Sequence, residues 1–179
     1  MKVIFLDFDG VLNSEGSFLY EHRRRTQWKL QGIKGDVSET LCNVCTSNFQ
    51  FILDTYPEVK IVISSTWRVF FSIVQLKEIL ASYHVDSSRV IDVTPNDTTW
   101  GGNRGVEIAT WLKEHPEVKH YIVIDDNDWG IDAVHPKSQI VRTDWNTGMT
   151  WNHVLEAIAK LKTPKKKKDE EDPNKPQST

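Results

Sequence analysis

The stretch Val3-Ile-Phe-Leu-Asp7-Phe8-Asp9-Gly10-Val11-Leu12 reads as an apolar strand that runs into two carboxylates and breaks at a glycine. Side chains alternate along an extended chain, so Asp7 and Asp9 can share one side while Phe8 turns back into a core. Two anions brought together repel, and the repulsion is relieved when one takes up a proton or a cation settles between them. A strand that merely stops at polar residues before a turn is the plainer reading of this segment taken alone. The remaining strand ends decide between the two.

Further short apolar runs occur at residues 60–63, 89–93, 121–124 and 139–141, each with the length of a buried strand. Between them the apolar residues recur at helical spacing over 38–55, 73–83, 104–112 and 150–161. Strand and helix therefore alternate. Alternation of this kind predicts right-handed crossovers, a mainly parallel central sheet with helices on both faces, and a site at the carboxyl ends of the strands. The first strand is followed by Asp7 and Asp9, the second by Ser64, Ser65 and Thr66, and the run 121–124 by Asp125, Asp126 and Asp128. Residues that served only to stop strands have no reason to repeat this chemistry at three ends, so a site is the better reading.

The chain has 179 residues, 39% of them hydrophobic and 26% charged, which suits one soluble domain with a full core. No apolar run approaches the roughly 18 residues of a membrane span, and the N-terminus starts on a strand without a secretory leader. A cytoplasmic, reducing location is the expectation. Cys42 and Cys45 fall on one face of the helix expected over 38–55, where core packing accounts for them; zinc would want four ligands, and a redox dithiol would sit at a helix N-terminus. His84, His115, His120, His135 and His153 show no ligand spacing and read as surface or satisfied core residues. From residue 163 to residue 179 there is no large apolar side chain, and five lysines face four acids there, a charge of +1 that leaves −4 for the body of a chain whose total is −3. The expected organisation is one domain over 1–162, with a short loop insertion at 13–35, and a disordered charged tail or linker over 163–179.

The set of strand ends, in this order, resembles the haloacid dehalogenase-like (HAD) superfamily of phosphohydrolases. The resemblance spans residues 2–128 and rests on Leu-Asp7-Phe-Asp9-Gly-Val-Leu, on Ile-Val-Ile-Ser64-Ser65, on Arg104 opening a helix, and on Ile-Val-Ile-Asp125-Asp126. Ser-Ser-Thr-Trp67-Arg68 and Arg104-Gly-Val-Glu-Ile-Ala-Thr-Trp-Leu are similar to a subgroup of HAD domains associated with RNA repair proteins. The resemblance implies a Rossmann-like three-layer α/β sandwich. It makes Asp7 the nucleophile that forms an aspartyl phosphate, and Asp9 the general acid and base. It implies a magnesium ion held by Asp7, by the main-chain carbonyl of Asp9 and by the acidic pair, with Asp126 inside and Asp125 supporting. Ser65, with Ser64 as its rival, would bind phosphoryl oxygens, and Arg104 would offset negative charge. Arg104 at a helix start opposes the macrodipole, a cost that function would justify.

Many relatives insert a cap domain, but residues 13–35 fall short of the roughly 40 that usually fold without staples or metal. An open cleft follows, suited to a phosphate presented by a macromolecule. The candidate substrate contacts are Arg24, in the run His22-Arg23-Arg24-Arg25 before Trp28, together with Trp67 and Arg68; Trp100 and Trp129 lie on loops beside the site. Arginine and aromatic planes would suit a phosphoprotein, including a phosphotyrosine, or a nucleic-acid end with a 3′ phosphate. The mildly acidic body argues against broad nucleic-acid affinity. Asp9 counts against dehalogenation, in which the second aspartate is absent; a phosphotransferase, or a phosphate-binding module without turnover, would carry the same fold.

Overall fold

In a computed structural model, which describes residues 1–20, 41–96 and 102–162, five parallel strands form one sheet. Along the chain they are β1 (Lys2–Leu6), β2 (Lys60–Ile63), β3 (Val90–Val93), β4 (His120–Asp125) and β5 (Ile140–Arg142), and across the sheet the order is β3-β2-β1-β4-β5. The helices are α1 (Asn43–Thr55), α2 (Ile73–Ser82), α3 (Arg104–Glu114), the single turn α4 (Ile131–Val134) and α5 (Trp151–Leu161). The sheet places β1 at its centre, where Phe5 pairs with Val62 on one side and Val123 on the other. A central parallel strand is covered on both faces, which is why its sequence is apolar throughout rather than alternating.

Alternation along the strands sorts the core into two layers. Ile4, Leu6, Ile61, Ile63, Ile122, Ile124 and Val141 face α1, α2 and α5, whose Phe49, Leu53, Leu76, Leu80, Val154 and Leu161 close that side. Val3, Phe5, Val62, Val123 and Ile140 face α3 and α4 through Ile108, Trp111 and Ile131. On this second side Trp111 meets Phe5 edge-on, with centroids 5.4 Å apart, stacks on His115 at 3.7 Å, and donates its indole N–H to Asp92 at 2.7 Å.

Local signals set the helix starts. Ser72 and Gln75 form a reciprocal capping box before α2. Asn103 caps α3 by accepting from the Val106 N–H at 3.0 Å. Helix α1 begins at Asn43 rather than near 38: residues 38–40 lie outside the described residues, Leu41 is not helical, and Cys42 is extended, its N–H donating to the Leu12 carbonyl at 2.8 Å. Cys42 is thus the N-cap of α1 and Cys45 a buried core residue, both of them free thiols. The single turn α4 has no counterpart among the expected helices, and every other remaining strand and helix lies within two residues of its expected bounds.

The amino edge of the sheet gathers both ends of the described chain. The Met1 ammonium donates to the Glu117 carbonyl at 2.9 Å, the Lys119 N–H donates to the Met1 carbonyl at 3.1 Å, and His120 Nε2 donates to the Lys160 carbonyl at 2.7 Å near the end of α5. Among the described residues no helix is long and apolar enough to cross a membrane. The tail 163–179 and most of the 13–35 insertion lie outside the described residues.

Candidate active site

Hydrogen bonding continues one residue past the strands at the carboxyl edge. The Asp7 N–H donates to the Ile124 carbonyl at 3.1 Å, that of Ser64 to Leu6 at 2.8 Å, and that of Thr143 to Asp125 at 3.1 Å. Parallel pairing thereby brings the ends of β1, β2 and β4 side by side. Beyond Asp7 the chain winds round the Phe8 carbonyl, which accepts from the N–H groups of Val11, Leu12 and Asn13 at 3.2, 2.8 and 3.2 Å, while the Phe8 ring enters the core as its place in the alternation requires. Gly10 makes this turn possible twice over. Its φ of +69° suits glycine, and a Cβ there would lie 2.3 Å from the Asp126 carboxyl carbon.

Asp7 is buried, with one carboxylate oxygen accepting from the Phe8 N–H at 2.8 Å and the other from Arg104 Nη1 at 2.6 Å. The same Nη1 reaches Asp125 Oδ2 at 2.6 Å, and Asp125 Oδ1 accepts from the Asn127 N–H at 2.8 Å. Ligand oxygens of Asp7, Asp125 and Asp126 all lie within 4.8 Å of one another. Burial pushes the Asp7 carboxyl up, against the pull of Arg104 and Ser65. Burial and the Asp7 charge raise Asp125 to about 7 and also raise Asp126. Arg104, buried as well, is held above its ordinary range by Asp7 and Asp125 even though burial opposes its charge. Arg104 thus answers the crowded carboxylates at close range, with Arg142 Nη1 standing farther off, 3.9 Å from Asp125 Oδ1. Hard oxygen donors with uncompensated negative charge are what a small divalent cation requires, so the residues present fit magnesium.

Arg104 owes its place to a close helix contact. Gly105 lies so near Gly130 that a Cβ on it would stand 2.3 Å from the Gly130 carbonyl oxygen, and this pins the start of α3 to the loop after Asp125. His135 braces the contact: its Nε2 donates to the Gly105 carbonyl at 2.9 Å and its Nδ1 meets the Tyr121 hydroxyl at 2.8 Å. Burial lowers the His135 pKa, which agrees with a neutral ring serving as donor and acceptor at once, the satisfied core residue its sequence suggests.

The two serines after β2 separate. The Ser65 side chain lies beside Asp7, where it favours the charged carboxylate, and accepts from the Trp67 backbone N–H at 3.4 Å. The Ser64 hydroxyl is buried with no hydrogen-bond partner among the described residues. Of the three expected substrate contacts, two turn inward. Trp67 is 8% exposed, its ring lying 5.0 Å from that of Phe8 and 5.8 Å from that of Phe71, and its Nε1 donates to Asp9 Oδ2 at 2.8 Å. Arg68 is spent on internal partners: the Ser65 carbonyl at 2.5 Å, the Thr94 carbonyl at 3.1 Å and Glu107 at 2.5 Å. Neither is placed to grip a substrate, because a short 3-10 turn over Thr66–Val69 carries both back under the site. The third, Arg24, lies outside the described residues, as do Trp28 and Trp100. Trp129 stands half exposed on the loop after Asp125, in the left-handed region with φ 43°.

Asn13 ends the first motif, where its side chain could cap the turn or meet a substrate, and together with Glu107 it belongs to the site's framework. Asn13 Nδ2 donates to Asp9 Oδ1 at 2.8 Å, and its Oδ1 accepts from the Gly10 N–H at 3.0 Å. Glu107 lies three residues beyond Arg104 on the same helix face, and that spacing is the one hint that it looks toward the site.

No curated protein sequence matches the chain significantly. Among solved structures, the HAD domain of effector protein Lem4 from Legionella pneumophila superposes with a TM-score of 0.50 at 16% identity, over 90% of this chain and 97% of that one. An inactive mutant of the same domain gives a TM-score of 0.50 at 18% identity, over 88% and 92%. These likenesses concern the fold. At the level of sequence, the profile of a family described as the HAD domain in Swiss Army Knife RNA repair proteins matches residues 3–154. The match runs from β1 into α5 and takes in every carboxylate and the arginine of the site, and on that evidence the chain belongs to this family of HAD domains.

Proposed function

We propose that the protein is a magnesium-dependent phosphomonoesterase that removes a terminal phosphate from a nucleic acid through an aspartyl-phosphate intermediate. The observation that carries the reading is the bridge of one Arg104 nitrogen between Asp7 and Asp125, 2.6 Å from each, beside a second carboxylate system at Asp9. Asp7 would hold magnesium with its side chain, Asp9 with its main-chain carbonyl, and Asp126 would complete the protein ligands while Asp125 stays with Arg104. When bound, the ion lends the positive charge that lets a phosphate approach these anions.

In the first displacement an Asp7 oxygen attacks phosphorus, the bond to the leaving oxygen breaks, and Asp9 gives that oxygen its proton. In the second, a water oxygen attacks phosphorus, its proton passes to Asp9, and the bond to Asp7 breaks. Arg104 stabilises negative charge on Asp7 and on the phosphoryl group throughout, and the Ser65 hydroxyl is the phosphoryl-oxygen contact.

The family's association with RNA repair favours a nucleic-acid end over a phosphoprotein. Hydrolysis of an aryl phosphate is expected with magnesium and not with EDTA or in Asp7→Asn; activity indifferent to all three removes the catalytic reading. A panel of 3′- and 5′-phosphorylated oligonucleotides against phosphopeptides, phosphotyrosine included, then assigns the substrate. Preference for the peptides overturns the nucleic-acid part alone.

A further inference from the structure

The two motif aspartates are held by different kinds of partner. Asp7 is paired with a cation, Arg104. Asp9 is held by two neutral donors, one on each oxygen: the Trp67 indole N–H at 2.8 Å and the Asn13 amide at 2.8 Å. An attacking carboxylate has to stay ionised, and a guanidinium favours that state. A group that hands a proton to a leaving oxygen has to be aimed, and two neutral N–H donors, one on each oxygen, fix its plane without placing a second cation beside it. Each Asp9 oxygen keeps a further lone pair, so the carboxyl group can carry a proton while both contacts persist.

We infer that Trp67 is a positioning residue that fixes the carboxyl plane of Asp9 for proton transfer to the leaving oxygen, with Asn13 as the second clamp. The inference rests on the phosphatase reading, in which Asp9 is the general acid. Trp67 is suited to the task because the Phe8 and Phe71 rings pack against its indole, and its backbone N–H is tied to the Ser65 hydroxyl. A rigid aromatic plane therefore aims a single donor. Its 8% exposure leaves no face on which a substrate ring could stack.

Leaving-group dependence tests this, because a general acid matters most when the departing oxygen is basic. Trp67→Phe keeps the ring and removes the donor. Against an alkyl phosphate it is expected to lower kcat/KM by about tenfold or more, within the range general acid catalysis supplies; against 4-nitrophenyl phosphate, whose leaving group departs unaided, the loss stays within about threefold. In an Asp9→Asn background the same change adds no further loss on 4-nitrophenyl phosphate, since a residue that acts through Asp9 has nothing left to position. Equal losses on both substrates, or an added loss in the Asp9→Asn background, overturn the inference. Should Trp67→Phe not fold, replacement of Trp67 by β-(3-benzothienyl)alanine swaps only the N–H for sulfur and is read the same way. Failure of the phosphatase reading shows separately, as an Asp7→Asn protein with undiminished activity.

Discussion

Beneath α1, α2 and α5 the buried side chains are almost all apolar, whereas at the carboxyl edge of the same sheet Asp7, Asp125, Arg104, Arg68 and Glu107 are shielded nearly as well. The first region gains stability from every ångström of hydrocarbon it removes from water. The second takes charges out of water and recovers the cost only through close pairing. Stability and chemistry thus draw on separate parts of the molecule, and substitutions can pull them apart.

The deepest break is expected from Asp7→Asn, which should lower aryl phosphate hydrolysis by roughly a thousandfold or more, as loss of a nucleophile does, while the apolar layer keeps the protein folded; steady-state kinetics beside circular dichroism check both halves. Arg104→Met leaves buried Asp7 without its cation and Asp125 with only the more distant Arg142. It should cost about 3–5 kcal/mol in urea denaturation and on the order of a hundredfold in kcat. Leu53→Ala sharpens the contrast from the other side, with a loss of about 3 kcal/mol and an unchanged kcat/KM in the folded fraction.

A subtler difference appears with pH. In EDTA, Asp125 keeps its proton up to about 7, whereas in the unfolded chain it releases it near the ordinary 3.8. Over that interval the folded form binds more protons, so thermal stability should fall as pH rises; Asp7 and Asp126, also raised, act in the same sense. Magnesium bound at these carboxylates would displace the protons and should weaken or reverse the slope, and melting curves at fixed ion concentration test whether it does. The smallest effect belongs to the neighbouring serines. Ser64→Ala removes a buried hydroxyl that has no partner among the described residues and should shift stability by less than about 1 kcal/mol with activity kept, whereas Ser65→Ala should lower activity.

What could be read from the residues followed the same division. Strand and helix order was legible because buried runs and helical spacing are consequences of hydrocarbon burial, and they placed β2 at 60–63 and the start of α2 at 73 as observed. The carboxylates were legible as a set because parallel pairing carries every strand end to one edge. Their partners were not. Trp67 and Arg68 looked like surface contacts beside a cleft, and nothing in the sequence says that a 3-10 turn folds them beneath it to meet Asp9 and Glu107. Likewise the true start of α1 depended on a backbone bond from Cys42 to Leu12, a contact between distant parts of the chain that no local pattern encodes.

Met1, Lys119, His120 and Lys160 meet at the amino edge, so the beginning of the described chain and the end of α5 leave from the side opposite the carboxylates. A label carried on Met1 or Lys160 would therefore report from the side of the sheet remote from Asp7.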